Sequence, residues 1–174
     1  MKLGKRGYVI LTAAAALVLA AAMWFGGVFR PAGETTAADN TCTLSISCAT
    51  ILDHMDQLTA DKRSLVPEDG WLLPPTTVSF ETGESVFDVL LRTCREQKLH
   101  MEFEDTPLYG SSYIEGIGNL YEFDCGELSG WTYRINGEFI SRGCSECLVQ
   151  PGDTIEFLYT CDLGADVGDV YVGE

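Results

Sequence analysis

Histidine is nearly missing from this chain of 174 residues, basic side chains are few, and the common catalytic signatures do not occur. The two histidines, His54 and His100, stand apart from one another and from other ligand-type residues. Imidazole-based zinc sites and a histidine-dependent triad therefore find no partners at recognisable spacing. There is no G-x-S-x-G and no Gly-rich phosphate loop ending in Lys-Ser/Thr, so hydrolase, kinase and dehydrogenase readings fall away. The expectation is a non-enzyme without a catalytic cofactor or metal. Only 11 Lys and Arg stand against 26 Asp and Glu, a formal charge of −15. Four of the 11 (Lys2, Lys5, Arg6 and Arg30) precede the first acid, Glu34, which leaves seven basic against 26 acidic residues and a charge of −19 on the remainder. That field repels nucleic acid and anionic lipid, and neither is expected as a partner of the acidic part.

One long apolar stretch is present. Tyr8 to Phe29 runs 22 residues behind a basic start, long enough to cross a bilayer as a helix with its N-terminus in the cytoplasm. Ala20-Ala21-Ala22 also offers a small-residue cleavage site, so an uncleaved anchor and a cleaved signal peptide are both open readings. Either one places the rest outside the cytoplasm: in the cell membrane, single-pass with the C-terminal domain outside, or secreted if the signal is removed. The composition then divides into an anchor or signal (residues 1–29), a Pro/Gly/Thr/Ala tether (30–41), a domain (42–163) and an acidic, Gly-rich tail (164–174) expected to be mobile.

All seven cysteines follow the apolar stretch, which suits an oxidising compartment. An extended strand from Cys42 to Cys48 separates those two by about 20 Å, beyond disulfide reach. Spacing does not fix connectivity. The expected set is Cys48 with Cys94, Cys42 with Cys161 and Cys125 with Cys144, leaving Cys147 as the odd thiol.

Within the domain, residues 42–48 alternate as a strand with Cys42, Leu44, Ile46 and Cys48 on one buried face. Residues 51–58 have helical spacing. Trp71-Leu72-Leu73 is a short apolar run stopped by Pro74-Pro75, and a further strand starts at Thr76. Ser85 with Asp88 forms a capping-box signal for an amphipathic helix to about Lys98, with Val86, Val89, Leu90, Thr93 and Cys94 on its core face. Short strands follow at 101–104, 113–119 and 120–123, then a hairpin over 129–140 turning at Asn136-Gly137, and a last strand at 154–160. This order reads as an α+β fold of the β-grasp type, a mixed sheet packed on one main amphipathic helix and preceded by the N-terminal transmembrane or signal helix.

Cys144-Ser-Glu-Cys147 invites a redox or zinc reading, but no helix follows it to lower a thiol pKa and no second ligand pair exists. Asp162, Asp166 and Asp169 lack the spacing of a calcium loop. The aromatics are the remaining candidates for contact with a ligand. Trp71 and Tyr113 stand in loop-like contexts, and Trp131 and Tyr133 share a face of the hairpin.

The blocks Gly83-Glu84-Ser85-Val86-Phe87-Asp88-Val89-Leu90, Tyr113-Ile114-Glu115-Gly116-Ile117, Gly130-Trp131-Thr132-Tyr133-Arg134-Ile135-Asn136-Gly137 and Gly152 to Tyr159 resemble, in this order, the C-terminal domain of transcobalamin and intrinsic factor and its bacterial surface-anchored or secreted relatives. The resemblance spans roughly residues 42–163. It implies a β-grasp module that contributes one wall of a cobalamin site, whose other wall in the vitamin carriers is a helical barrel. No such barrel is present here, nor a D-x-H-x-x-G cobalt-ligating motif, since Asp53 directly precedes His54. The expected function is a membrane-tethered extracytoplasmic binding module for a cobalamin-like corrinoid or another small molecule, through Trp71, Tyr113, Trp131 and Tyr133. The alternative is a cell-surface interaction or adhesion module that joins a partner protein through a sheet edge or the odd thiol.

Overall fold

The computed structural model describes residues 40–106 and 111–169. The anchor or signal at 1–29, all but the end of the tether and the last residues of the tail lie outside this set. Among the described residues no helix is long and apolar enough to cross a membrane.

The element order is β1 (Thr41–Ser47), β2 (Trp71–Ser79), α1 (Val86–Gln97), β3 (Met101–Thr106), β4 (Ser111–Ile117), β5 (Leu120–Tyr121), β6 (Gly130–Ile135), β7 (Glu138–Phe139) and β8 (Thr154–Thr160). One five-stranded sheet runs β2-β1-β8-β6-β7, and a second, three-stranded sheet runs β3-β4-β5. β1 and β8 pair in parallel while β1–β2 and β6–β8 are antiparallel, so the larger sheet is mixed and the fold is α+β.

Helix α1 forms where its cap predicts. Ser85 Oγ accepts from the Asp88 N–H at 3.2 Å and Asp88 Oδ2 accepts from the Ser85 N–H at 2.9 Å, which satisfies two otherwise unpaired donors of the first turn. Lys98 ends it in the left-handed conformation. Val86, Val89, Leu90, Thr93 and Cys94 are buried as the periodicity requires. They share a core with Leu44 and Ile46 of β1 and Ile155 and Phe157 of β8. Each fully buried aliphatic side chain there contributes on the order of 2 kcal/mol. Phe87, on the flank, meets Phe103 of β3 edge-on at 4.8 Å, so the helix also packs on the smaller sheet.

The Asn136-Gly137 turn takes positive φ at both positions, 54° and 84°, and closes β6 on β7 with Ile135 opposite Glu138. Gly118 and Asn119 do the same (64° and 62°) between β4 and β5. That second hairpin explains why two sheets form where the element order suggested one, since β3–β4–β5 closes as its own meander. The sheets are joined by aromatic donors. Trp131 Nε1–H of β6 donates to the Leu120 carbonyl at 2.9 Å, and Tyr159 Oη–H of β8 donates to the Tyr121 carbonyl at 2.7 Å.

Several expectations are corrected. Strand β1 is not half-exposed: Ser45 and Ser47 are buried along with Leu44 and Ile46, and Ser47 Oγ–H donates to the Gly70 carbonyl. Pro74 and Pro75 do not end a strand. β2 continues through them to Ser79 as the edge strand, where a missing N–H faces no partner, and a register shift opposite Leu44–Ile46 absorbs the irregularity. Residues 51–58 do not form an α-helix. Ile51 and Leu58 are the buried anchors, and a segment this short takes 3-10 turns at Ala49–Asp53 and Ala60–Leu65. In the described part of the tail, Asp166 accepts from Thr160 Oγ1–H and from the Cys161 N–H.

All seven cysteines are buried free thiols. None of the three expected disulfides is formed among these cysteines. Cys48, Cys125 and Cys161 belong to one hydrophobic cluster with Ile51, Leu58 and Leu120, whereas Cys42, Cys94, Cys144 and Cys147 belong to the other. Each expected pair takes one member from each cluster, an arrangement that spacing in the sequence had no means of revealing.

Candidate functional site

Strands β4 and β6 lie side by side without pairing, one from each sheet, and a cleft of about 390 Å³ opens between them. Its walls come from Tyr113 and Ile114 of β4, Trp131 and Tyr133 of β6, and the stretch Ile140 to Cys144 that follows β7, with Phe157 also in the lining. The segment holding Arg142 is fixed by close contacts. Ser112 N–H donates to Ser145 Oγ at 3.0 Å, and a Cβ on Gly143 would fall 2.2 Å from Ser111 Cβ, so only glycine fits there.

Three of the four aromatics singled out in the sequence meet in this cleft. Tyr133 is its inner wall, 8 % exposed and stacked on Phe157 with centroids 5.5 Å apart and planes 18° from parallel. Its hydroxyl donates to the Arg142 carbonyl at 2.7 Å and lies 3.3 Å from Cys147 Sγ. Burial, reinforced by Cys147, pushes the Tyr133 phenol far up from its ordinary pKa, so it stays neutral. Trp131 is half-buried, with its ring edge-on to Tyr159 at 5.2 Å and its N–H committed to Leu120. It offers a ring surface and no free donor. Tyr113, at 49 % exposure, is the accessible member. Its hydroxyl donates to Glu122 Oε2 at 2.5 Å, and partial burial and that carboxylate push its pKa up to about 12.

Trp71 does not join them. It opens β2 opposite Ser47, at the other edge of the five-stranded sheet, and lines no part of the cleft. Its loop-like appearance came from Pro74-Pro75, which the edge strand tolerates. The contributions from Arg142, Ile140 and Phe157 were not read from the sequence. Phe157 carries the pattern of an ordinary core strand, and the approach of the 140–144 stretch to β4 depends on tertiary packing.

Among the described residues no Asp, Glu or His lines the cleft, Arg142 is its one charged side chain, and the Cys144 thiol is held up at about 12 by burial. A flat apolar body fits between the rings, with hydroxyls of Ser111, Ser112 and Thr132 and the Arg142 side chain at the margin. Elsewhere, His54 Nδ1 lies 2.9 Å from the Thr50 carbonyl and His100 Nε2 lies 3.0 Å from Tyr121 Oη. Among the described residues no three His, Cys, Asp or Glu gather as a metal set.

Comparison with known proteins adds a family model. Residues 83–160 match the Domain of unknown function (DUF4430). The matched stretch starts at the α1 cap, takes in both walls of the cleft and ends with β8. No curated protein matches the sequence. Among solved structures, haptocorrin in complex with Cbi matches with a TM-score of 0.48 and 15 % identity, over 72 % of this chain. The chain spans about a quarter of haptocorrin, 26 % of its length. A protein from Ruminococcus gnavus ATCC 29149, assigned as metal-binding, matches with a TM-score of 0.40 and 15 % identity over 70 % of this chain and 96 % of its own.

Proposed function

We propose that this chain is a non-enzymatic, extracytoplasmic binding module of β-grasp architecture, occupying residues 42–163 and tethered to the membrane by its apolar N-terminus, or secreted if that segment is cleaved. It takes a small molecule in the cleft between β4 and β6. The supporting observation is the convergence of Tyr113, Trp131 and Tyr133 from two sheets on one opening of about 390 Å³, a size typical of small-ligand sites. A cleft without carboxylate or imidazole favours binding over catalysis.

A cobalamin-like corrinoid is the ligand class that the sequence resemblance brings forward. A corrinoid is much larger than this cleft, so it would insert an edge against Tyr113 and Trp131 and leave most of its surface to solvent or to a partner. The test is equilibrium titration of the purified full-length protein with cobalamin and with cobinamide. Saturable binding that Tyr113→Ala weakens at least tenfold supports the reading. No binding at high micromolar ligand removes the corrinoid, and a screen of smaller flat molecules with the same variant then tests the cleft itself.

The alternative of a partner joined through the odd thiol or a sheet edge is disfavoured at Cys147 and at β2, while the edges at β7, β3 and β5 stay open to it. Cys147 is buried against Tyr133, out of reach of another chain, and edge strand β2 carries Pro74 and Pro75.

A further inference from the structure

A second groove, about 300 Å³, shares Tyr113, Trp131 and Thr132 with the cleft. Its chemistry is different. Phe123, Leu128 and Leu163 line it, and Glu122, Glu127 and Asp169 stand among them, with no basic side chain in the lining. These apolar residues are not ordinary surface residues. Phe123 is 61 % and Leu163 71 % exposed, and both sit at positive φ, 67° and 47°. A bulky side chain in the left-handed region is unfavourable, and Gly or Asn is the usual occupant. Here the fold holds two large apolar groups in that conformation and points them outward. The loops that carry them are stitched together: Leu163 N–H donates to the Leu128 carbonyl at 2.9 Å, and Phe123 N–H to the Ser129 carbonyl at 3.1 Å. Asp169 is tied in by its N–H to the Gly164 carbonyl at 2.8 Å. The groove is therefore preformed, and binding pays little ordering entropy.

We propose that this groove docks a protein partner through a short segment in which a Lys or Arg is flanked by apolar residues. The apolar neighbours cover Phe123, Leu128 and Leu163, and the cation lies among Glu122, Glu127 and Asp169. Charge complementarity selects this occupant. Apolar tips alone would equally suit a lipid surface, but three carboxylates repel anionic headgroups, and the whole exported part carries the same sign. A groove lined by both kinds of group matches a hot spot with a charged rim. The proposal does not depend on a ligand in the first cleft.

The probe is a labelled, end-capped pentapeptide, Leu-Lys-Leu-Arg-Phe, compared with its analogue carrying Gln at both basic positions. Both are titrated against the full-length protein in phosphatidylcholine nanodiscs. The basic peptide is expected to bind at least tenfold tighter at low salt, with the difference shrinking as salt rises. Glu127→Gln with Asp169→Asn should erase that difference, whereas Glu104→Gln with Glu138→Gln, remote from the lining, should leave it. Leu163→Gly should weaken both peptides at least fivefold while raising the melting temperature, because it removes the apolar contact and relieves the backbone. Equal binding of the two peptides overturns the proposal. So does a remote pair that erases the difference as well as the groove pair, which would leave only the overall field. Binding of the protein to phosphatidylglycerol vesicles that Leu163→Gly abolishes, with no peptide selectivity, assigns the groove to a membrane instead.

Discussion

Burial holds the thiols of Cys42, Cys48, Cys94, Cys125, Cys144 and Cys161 in their neutral form. Cys48, Cys94, Cys144 and Cys161 are each pushed up to about 12 by loss of solvent, and Cys42 to about 11. Two consequences follow at the scale of single residues. Thiolates are the reactive species, so the reduced protein at pH 8 should take up iodoacetamide only on unfolding; rapid labelling of the native protein would contradict the burial. Stability should also depend on pH in one direction. The unfolded chain releases thiol protons near pH 9, while the native fold retains them toward pH 12. The stabilisation is therefore complete below pH 9 and is lost progressively as pH rises through that window. Urea midpoints of the reduced protein should fall between pH 9 and 11, and a flat profile would contradict this. Tyr113 acts in the same sense above pH 10 through burial and its bond to Glu122.

At the scale of elements, α1 separates what a local pattern specifies from what the core adds. The Ser85–Asp88 capping box was plain in the sequence because it depends on two residues three apart, and its loss should be local as well. Ser85→Ala is expected to cost about 1 kcal/mol in chemical denaturation. Thr93 is the opposite case. It lies on the buried face with its hydroxyl unpaired among the described residues, so its oxygen has given up water without compensation. Thr93→Val keeps the shape and removes that oxygen, and it should leave stability unchanged or raise it by about 1 kcal/mol; a loss above about 1 kcal/mol would show that the hydroxyl has a partner. The strands behave similarly. The Asn136-Gly137 turn was legible because positive φ at both positions selects those residues, whereas the course of β2 through Pro74-Pro75 followed from its place at the sheet edge.

At the scale of the whole molecule, two sheets are held together by aromatic side chains, one of which, Trp131, looks like a ligand contact in the sequence. Trp131 and Tyr159 bury their rings together and send their donors to adjacent carbonyls of β5, and Tyr159 also reaches Ser129 Oγ at 3.0 Å. Tyr159→Phe should cost about 1–2 kcal/mol, and Trp131→Phe a similar amount. Because both donors hold the same short strand, the double variant should depart from additivity by at least about 0.5 kcal/mol; independent effects would argue against a shared joint. The same joint sets the separation of β4 and β6, and hence the cleft. Trp131 therefore serves the fold first, which leaves Tyr113 as the side chain on which a ligand effect can be read cleanly.

The sequence by itself determined the α+β class, the capped helix, the Asn136-Gly137 turn and the closing strand, since each depends on spacing or on the conformational freedom of one or two residues. It also brought forward Trp71, Tyr113, Trp131 and Tyr133, because aromatic content and hairpin alternation are local. Tertiary structure decided what distance along the chain conceals. It divided the cysteines between two clusters, split the strands into two sheets, sent Trp71 to the far edge and brought the 140–144 stretch against β4. It also turned Phe123 and Leu163 outward beside three carboxylates. Each of these arises from contacts between segments tens of residues apart, where packing and backbone strain, which leave no periodic trace in the sequence, settle the outcome.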